Sequence, residues 1–420
     1  MEYQRNIDKY FPKNSLIQIN LKAVEFDSKL NRDKTKDLEN DALKVINDKN
    51  LPRNYKTTVR TLKFLTDVAI TEKRYTNAEN YLTQISDISK DLYGEQAPHY
   101  HLARILLANF YIDYTNKIAD AKKIYEESYY GVLEKEIHNY HKDHLEILNH
   151  LAVMHEMTDD YAKANSTLRK ANDVAWGKYS NTDILYAVEL NYLANFFLKL
   201  GDYDAAEKDI NKSLEVLDLK ENRSREAHTS TEVNALEIQA KLYGIKGLFD
   251  EAQANLTRTS KIIKKSKVPI TSELSTAEQL TSLLILLGSY SDADKLLTTL
   301  FAEYTKLYGA SSIRMIQPLV ERGTIQLANG DYTDAERTAQ QAYDIAKKAF
   351  GEKSTKAAPC QKLLSAIYYS IGDYDRAQQM ITLAMQSQEK QFGRNHVEVA
   401  RSISELALIR FHKGDDRKQV

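Results

Sequence analysis

One phrase returns along the chain at nearly constant spacing, and that regularity constrains the fold more than any other feature. It reads Gly201-Asp202-Tyr203-Asp204-Ala205-Ala206, Gly330-Asp331-Tyr332-Thr333-Asp334-Ala335 and Gly372-Asp373-Tyr374-Asp375-Arg376-Ala377. Looser copies are Arg74-Tyr75 with Ala78, Ile118 with Ala121, Asp160-Tyr161 with Ala164, Gly247-Leu248-Phe249 with Ala252, and Gly288-Ser289-Tyr290 with Ala293. With the aromatic slot as anchor, positions 75, 118, 161, 203, 249, 290, 332 and 374 lie 43, 43, 42, 46, 41, 42 and 42 residues apart. A period of this size marks a stack of small units that bury their apolar faces against one another.

Inside a unit the apolar residues follow helical spacing, as in Leu145, Leu148, Leu151 and Ala152 before one turn and Ala164, Leu168 and Ala171 after it. Each unit therefore reads as a helical hairpin of two helices, each about 17 residues or roughly 25 Å long. Glycine closes the first helix in the left-handed conformation, and aspartate caps the second. Composition agrees: 14 glycines and 6 prolines in 420 residues leave little material for β-hairpins. A second mark closes the other helix: Gly94, Gly309, Gly351 and Gly393 each follow an aromatic, 19 residues after an anchor, and Trp176-Gly177 reads as the same mark at a shorter distance. The expected layout is a degenerate hairpin or cap over residues 1–51, a solenoid over 52–413, and the start of a further unit at 414–420. In the first of these, Leu16, Ile19, Leu21 and Val24 and then Leu38, Ala42, Leu43 and Ile46 form the apolar faces, with Arg32 in the anchor slot.

Several function classes are disfavoured. The 58 basic and 59 acidic side chains leave a net charge of −1, with no broad basic field for nucleic acid. The longest apolar run, Leu283 to Leu287, is too short to enter a membrane, and with no signal-like N-terminus a cytoplasmic location is expected. Cys360 is the sole cysteine, so no disulfide forms within the chain. It stands at the start of a first helix, where a helix dipole lowers a thiol pKa, but no catalytic loop surrounds it. His138, His141, His144, His150 and His155, with His99 and His101 a repeat earlier, lack the spacing of a metal site. Neither glycine-loop nor nucleophile-elbow motifs occur, so no cofactor and no enzyme activity are expected.

The residue nine before each anchor is mostly small: Thr66, Asn109, Ala152, Ala194, Ala240, Thr281, Gly323 and Ser365. Together with the anchor aromatic and the alanine three after it, this pattern resembles the tetratricopeptide repeat. The 42-residue period and the aromatic-Gly closure, as in Tyr93-Gly94-Glu95-Gln96-Ala97-Pro98-His99, resemble its longer variety found in kinesin light chains and bacterial arrays. The resemblance implies an all-α fold, a right-handed α-solenoid of about nine antiparallel helical hairpins. It also implies that first helices line a concave groove with the residues fifteen, twelve and eight before each anchor. Carried over, those slots gather Asn149, Asn191, Asn195, Asn234, Glu237 and Lys241 on three successive hairpins, where asparagine amides can pair with an extended backbone. The lysine and asparagine clamp with which some members hold acidic chaperone tails is absent, since only Lys63 matches it and Asp67, Phe110, Asn149 and Val153 fill its other slots. The expected function is a protein-interaction scaffold for a peptide or protein ligand. The rival expectation is a partner-sensing repeat region that controls an attached effector, such as a caspase-like CHAT protease or a signalling domain. Self-association through the solenoid ends is a further expectation.

Overall fold

The computed structural model describes residues 32–47, 55–136, 141–225, 227–266 and 270–414, and among these there is no strand. The first half of the expected N-terminal hairpin, with Leu16 to Val24, and nearly all of the 414–420 segment lie outside the described residues. An opening helix, α1 (Arg32–Asn47), precedes a strict alternation of first and second helices. These are α2 (Tyr55–Thr71), α3 (Tyr75–Tyr93), α4 (Pro98–Tyr114) and α5 (Ile118–Tyr125), then α6 (His141–Met157), α7 (Tyr161–Tyr179), α8 (Ile184–Lys199) and α9 (Tyr203–Leu217). They continue as α10 (His228–Ile245), α11 (Phe249–Lys265), α12 (Ile270–Leu286), α13 (Tyr290–Tyr308), α14 (Ile316–Asn329), α15 (Tyr332–Phe350), α16 (Ala358–Ser370), α17 (Tyr374–Phe392) and α18 (Val397–Lys413). The contacts divide the chain into two compact units, Met1–His141 and Lys142–Val420.

All eight anchors are the first residues of second helices, so the turn phrase sets the register of every hairpin. The reason is local. Gly330 and Gly372 take left-handed backbones at φ of 83° and 82°, ending the first helix. The carboxylates of Asp160, Asp202 and Asp373 then accept the backbone N–H of Lys163, Ala205 and Arg376 at 3.2, 3.1 and 3.1 Å. The alanines three after the anchors let helices approach closely, and none is more than 1% exposed. The small slot is likewise buried at Thr66, Ala152, Ala194, Ala240, Thr281, Gly323 and Ser365, whereas Ala407, its counterpart on α18, is exposed beside Ile403, Leu408 and Phe411.

Two expectations of the register are corrected. Gly177 does not close a second helix: α7 runs through it to Tyr179, and Ser180 takes the closing conformation at φ 86° and ψ 162°. That puts the closure 19 residues after Tyr161, the same distance as at Gly94, Gly309, Gly351 and Gly393. The second helix after Ile118 is also not uniform, since α5 passes into a π-helix over Glu126–Leu133. There the small slot holds Asn109, whose Oδ1 accepts the hydroxyl of the fully buried Tyr125.

Candidate functional site

Which side of the second unit faces inward follows from helix contacts. Successive first helices α8, α10, α12, α14 and α16 pack on one another as well as on their own partners. Second helices make their main contacts with the first helices on either side of them. First helices therefore follow the shorter, inner arc, and their exposed residues form the inner face.

A ladder of side-chain hydrogen bonds joins these helices at intervals close to one repeat. Asn149 on α6 donates from Nδ2 to Glu189 Oε1 on α8 at 2.9 Å, and Asn191 on α8 donates to the Thr231 carbonyl on α10 at 3.0 Å. Glu237 on α10 accepts from Ser275 at 2.8 Å and from Thr276, both on α12, and Ser282 on α12 donates to Glu321 on α14. Lys362 on α16 reaches Glu398 on α18 at 2.9 Å.

Burial raises the carboxyl pKa values along this ladder, because little or no cation compensates. Glu189, with only Asn149 to favour its ionised form, is pushed up to about 8. Glu321 rises to about 7, opposed by hydrogen bonds from Ser282 and Gln317. Glu237 and Glu278 move in the same direction for the same reason, with Lys241 opposing both. Lys241 moves down: loss of hydration dominates, Lys199 adds to it, and Glu237 and Glu278 offset part. Its side chain is nevertheless exposed to solvent.

The six residues singled out from the sequence fall into two groups. Asn149, Asn191 and Glu237 are at most 5% exposed and committed to the next helix of the ladder. Asn195 is half-buried, Asn234 is exposed and Lys241 is open to water, so these three are the ones free to meet a ligand. Lys241 has Glu237 and Glu278 as electrostatic neighbours, but ion-pairs with neither among the described residues. Glu278 accepts the Tyr304 hydroxyl at 3.4 Å and is half-buried. The slots fifteen, twelve and eight before the anchor do not include Glu189 or Glu321. The signal that marks them is a lone carboxylate in a mostly apolar helix segment, as in Ala187-Val188-Glu189-Leu190.

Cys360 is fully buried and its thiol is pushed up to about 12 by that burial, the opposite of the lowering a helix start would give. His99 stacks on Tyr93 with ring centres 4.4 Å apart. No described helix is long and apolar enough to cross a membrane.

A ladder-stapled array of helical hairpins with an inner face defines an α-solenoid repeat protein. Residues 314–390 and 191–216 match the tetratricopeptide repeat, and the chain is a tetratricopeptide-repeat protein. A comparison with curated proteins finds no match in sequence. Among solved structures it is similar to a Rap protein complexed with competence and sporulation factor, at 11% identity and a TM-score of 0.61, covering 90% of this chain and 98% of that one. It is also similar to BtubC (BKLC) from P. vanneervenii, at 17% identity, a TM-score of 0.42 and coverage of 61% and 94%. A tetratricopeptide repeat protein from Parabacteroides merdae ATCC 43184 is 16% identical, with a TM-score of 0.43 and coverage of 74% and 98%. The first of these supports the solenoid fold over most of the chain. Repeats of this family support an interaction or regulatory role.

Proposed function

We propose that the protein is a non-catalytic interaction scaffold that takes an extended peptide segment of its partner on the inner face of the second unit. The observation that carries this reading is Lys241, an exposed ammonium on a first helix that has Glu237 and Glu278 as electrostatic neighbours but no ion pair among the described residues. A ligand carboxylate can pair with that ammonium in a charge-assisted hydrogen bond. Glu278 supplies the opposite sign nearby, and Asn195 and Asn234 supply amides that bond a backbone of any sequence. The site therefore suits a peptide carrying both charges.

Selection from a displayed random-peptide library, followed by titration against Lys241→Met and Asn195→Ala, tests this. The expected result is enriched peptides whose affinity falls about tenfold or more in the lysine variant. Peptides indifferent to both substitutions, with both variants folded, would remove the inner face as the working surface.

A further inference from the structure

Within the second unit, residues nearly five repeats apart touch. The turn between α6 and α7 meets the loop between α15 and α16. Asp159 accepts the backbone N–H of Thr355 at 3.2 Å and also its hydroxyl. Tyr161 shares a hydrogen bond with Thr355 Oγ1 at 3.1 Å, and Lys356 donates to the Tyr161 hydroxyl at 3.2 Å. Beside them Phe392 packs edge-on against the Tyr161 ring, 4.8 Å between centres, and itself stacks on His396 at 4.5 Å. His396 in turn lies against the next hairpin turn: a Cβ at Gly201 would stand 3.2 Å from its Nε2.

These contacts share one geometry. Hairpin turns of two early repeats meet inter-repeat loops of two late ones, so the edge of one superhelical coil rests on the opposite edge of the next. The slit between coils, the lateral route to the inner face, is closed there. The closure is weak beside the rest of the fold. It is made by loops, a few polar groups and the single apolar contact of Phe392 with Tyr161, each contributing modestly, whereas neighbouring repeats are joined along whole helices. Asp159 also explains itself through this contact. It takes the left-handed turn position, φ 58°, that glycine holds in the five hairpins from α8–α9 to α16–α17, and its carboxylate is what a glycine would lack.

We propose that the 159–161 turn and the 354–356 loop form a latch between successive coils, and that an extended ligand reaches the inner face laterally only while the latch is open. The inference rests on the inner face being the ligand surface. A sliding, spring-like separation of the coils opens it without breaking any hairpin, and closing it behind a ligand slows release.

The gate is testable without a ligand. Asn195→Cys places a thiol on the inner face, while the native Cys360 is buried and does not compete. Its labelling is timed with N-ethylmaleimide and with a maleimide carrying a long polyethylene glycol chain, in the wild-type background, in Asp159→Gly/Thr355→Val and in Phe392→Ala. Asp159→Gly suits the turn backbone, and circular dichroism verifies that each variant remains helical. The expected result is labelling by the bulky reagent about tenfold faster in both latch variants, with the small reagent unchanged. Equal bulky-reagent rates in all three proteins would overturn the gate. So would equal acceleration of both reagents, which reports local unfolding. Should Lys241-dependent peptide binding persist while labelling ignores the latch, the gate alone fails; should labelling respond and no peptide depend on Lys241, the binding face alone fails.

Discussion

The second and seventh hairpins solve the same packing problem in opposite ways. In the seventh, the small slot is Gly323, and a Cβ there would stand 2.7 Å from Leu363 Cδ2, 3.7 Å from the Ala335 carbonyl oxygen and 3.8 Å from the Ala339 nitrogen. The second helix, α15, then runs unbroken for 19 residues. In the second hairpin the slot holds Asn109, too large and too polar for that approach. The chain answers with a buried Tyr125 whose hydroxyl satisfies the amide oxygen, and with a helix that widens into a π-turn just beyond it. Close approach is thus a property of one slot, and a polar residue there is tolerated when a neighbour supplies its hydrogen bond and the helix gives way.

The largest effect is expected from Gly323→Leu, which forces the second hairpin's bulk on the seventh. Overpacking is expected to cost about 3 kcal/mol, read as a lower denaturant midpoint at unchanged slope. An unchanged midpoint would mean the slot is not packed as described.

Glu189 extends the contrast to a carboxyl group held by a single amide. Its pKa of about 8 in the folded chain lies above the usual carboxylate range, so the folded state holds a proton that the unfolded state releases. Its contribution is therefore most favourable below about pH 4 and is lost as pH rises through about 8. Glu189→Gln removes that dependence and is expected to stabilise the protein by about 2 kcal/mol at pH 9 relative to wild type, with a smaller gain at pH 6. Thermal melts across this range check the sign.

Tyr125→Phe is expected to cost about 1 kcal/mol by stranding the Asn109 oxygen, and adding Asn109→Ala is expected to restore part of the loss, since removing both partners is milder than removing one. Additive losses would show that the bond does not hold the widened helix. The smallest effect is Ser180→Gly. The φ of 86° and ψ of 162° belong to a region that glycine favours, although Ser180 Oγ recovers something by bonding Thr182. A gain of about 0.5 kcal/mol is expected in chemical unfolding.

Much of the architecture was legible because each hairpin is specified locally. An anchor residue and an alanine three later write the same turn in every hairpin, with a side-chain cap from Asp160, Asp202 and Asp373 but none from Asp331, and every second helix starts at its anchor. The turns and stops depart from this local rule where conformation is imposed from elsewhere. Trp176-Gly177 looked like a helix stop, but α7 closes at Ser180, and Asp159 adopts a left-handed backbone with no glycine to announce it. The inner face was half legible. The slot positions point to Asn195, Asn234 and Lys241, which stay at least partly exposed, but do not tell that Asn149 and Asn191 spend their amide hydrogens on neighbouring helices, because that depends on the rotation between repeats. The same rotation sets the pitch that brings Asp159 to Thr355, and a sequence read one repeat at a time carries no sign of it.

The proposed ligand surface is the inner face of the second unit. It is tested most directly by photo-crosslinking a library-selected peptide to protein carrying a benzophenone side chain either at position 195, on first helix α8, or at position 212, on second helix α9. Binding on the inner face is expected to give crosslinking at 195, abolished by Lys241→Met, and little at 212. Crosslinking at 212 that equals or exceeds that at 195, and that ignores the lysine, would contradict it.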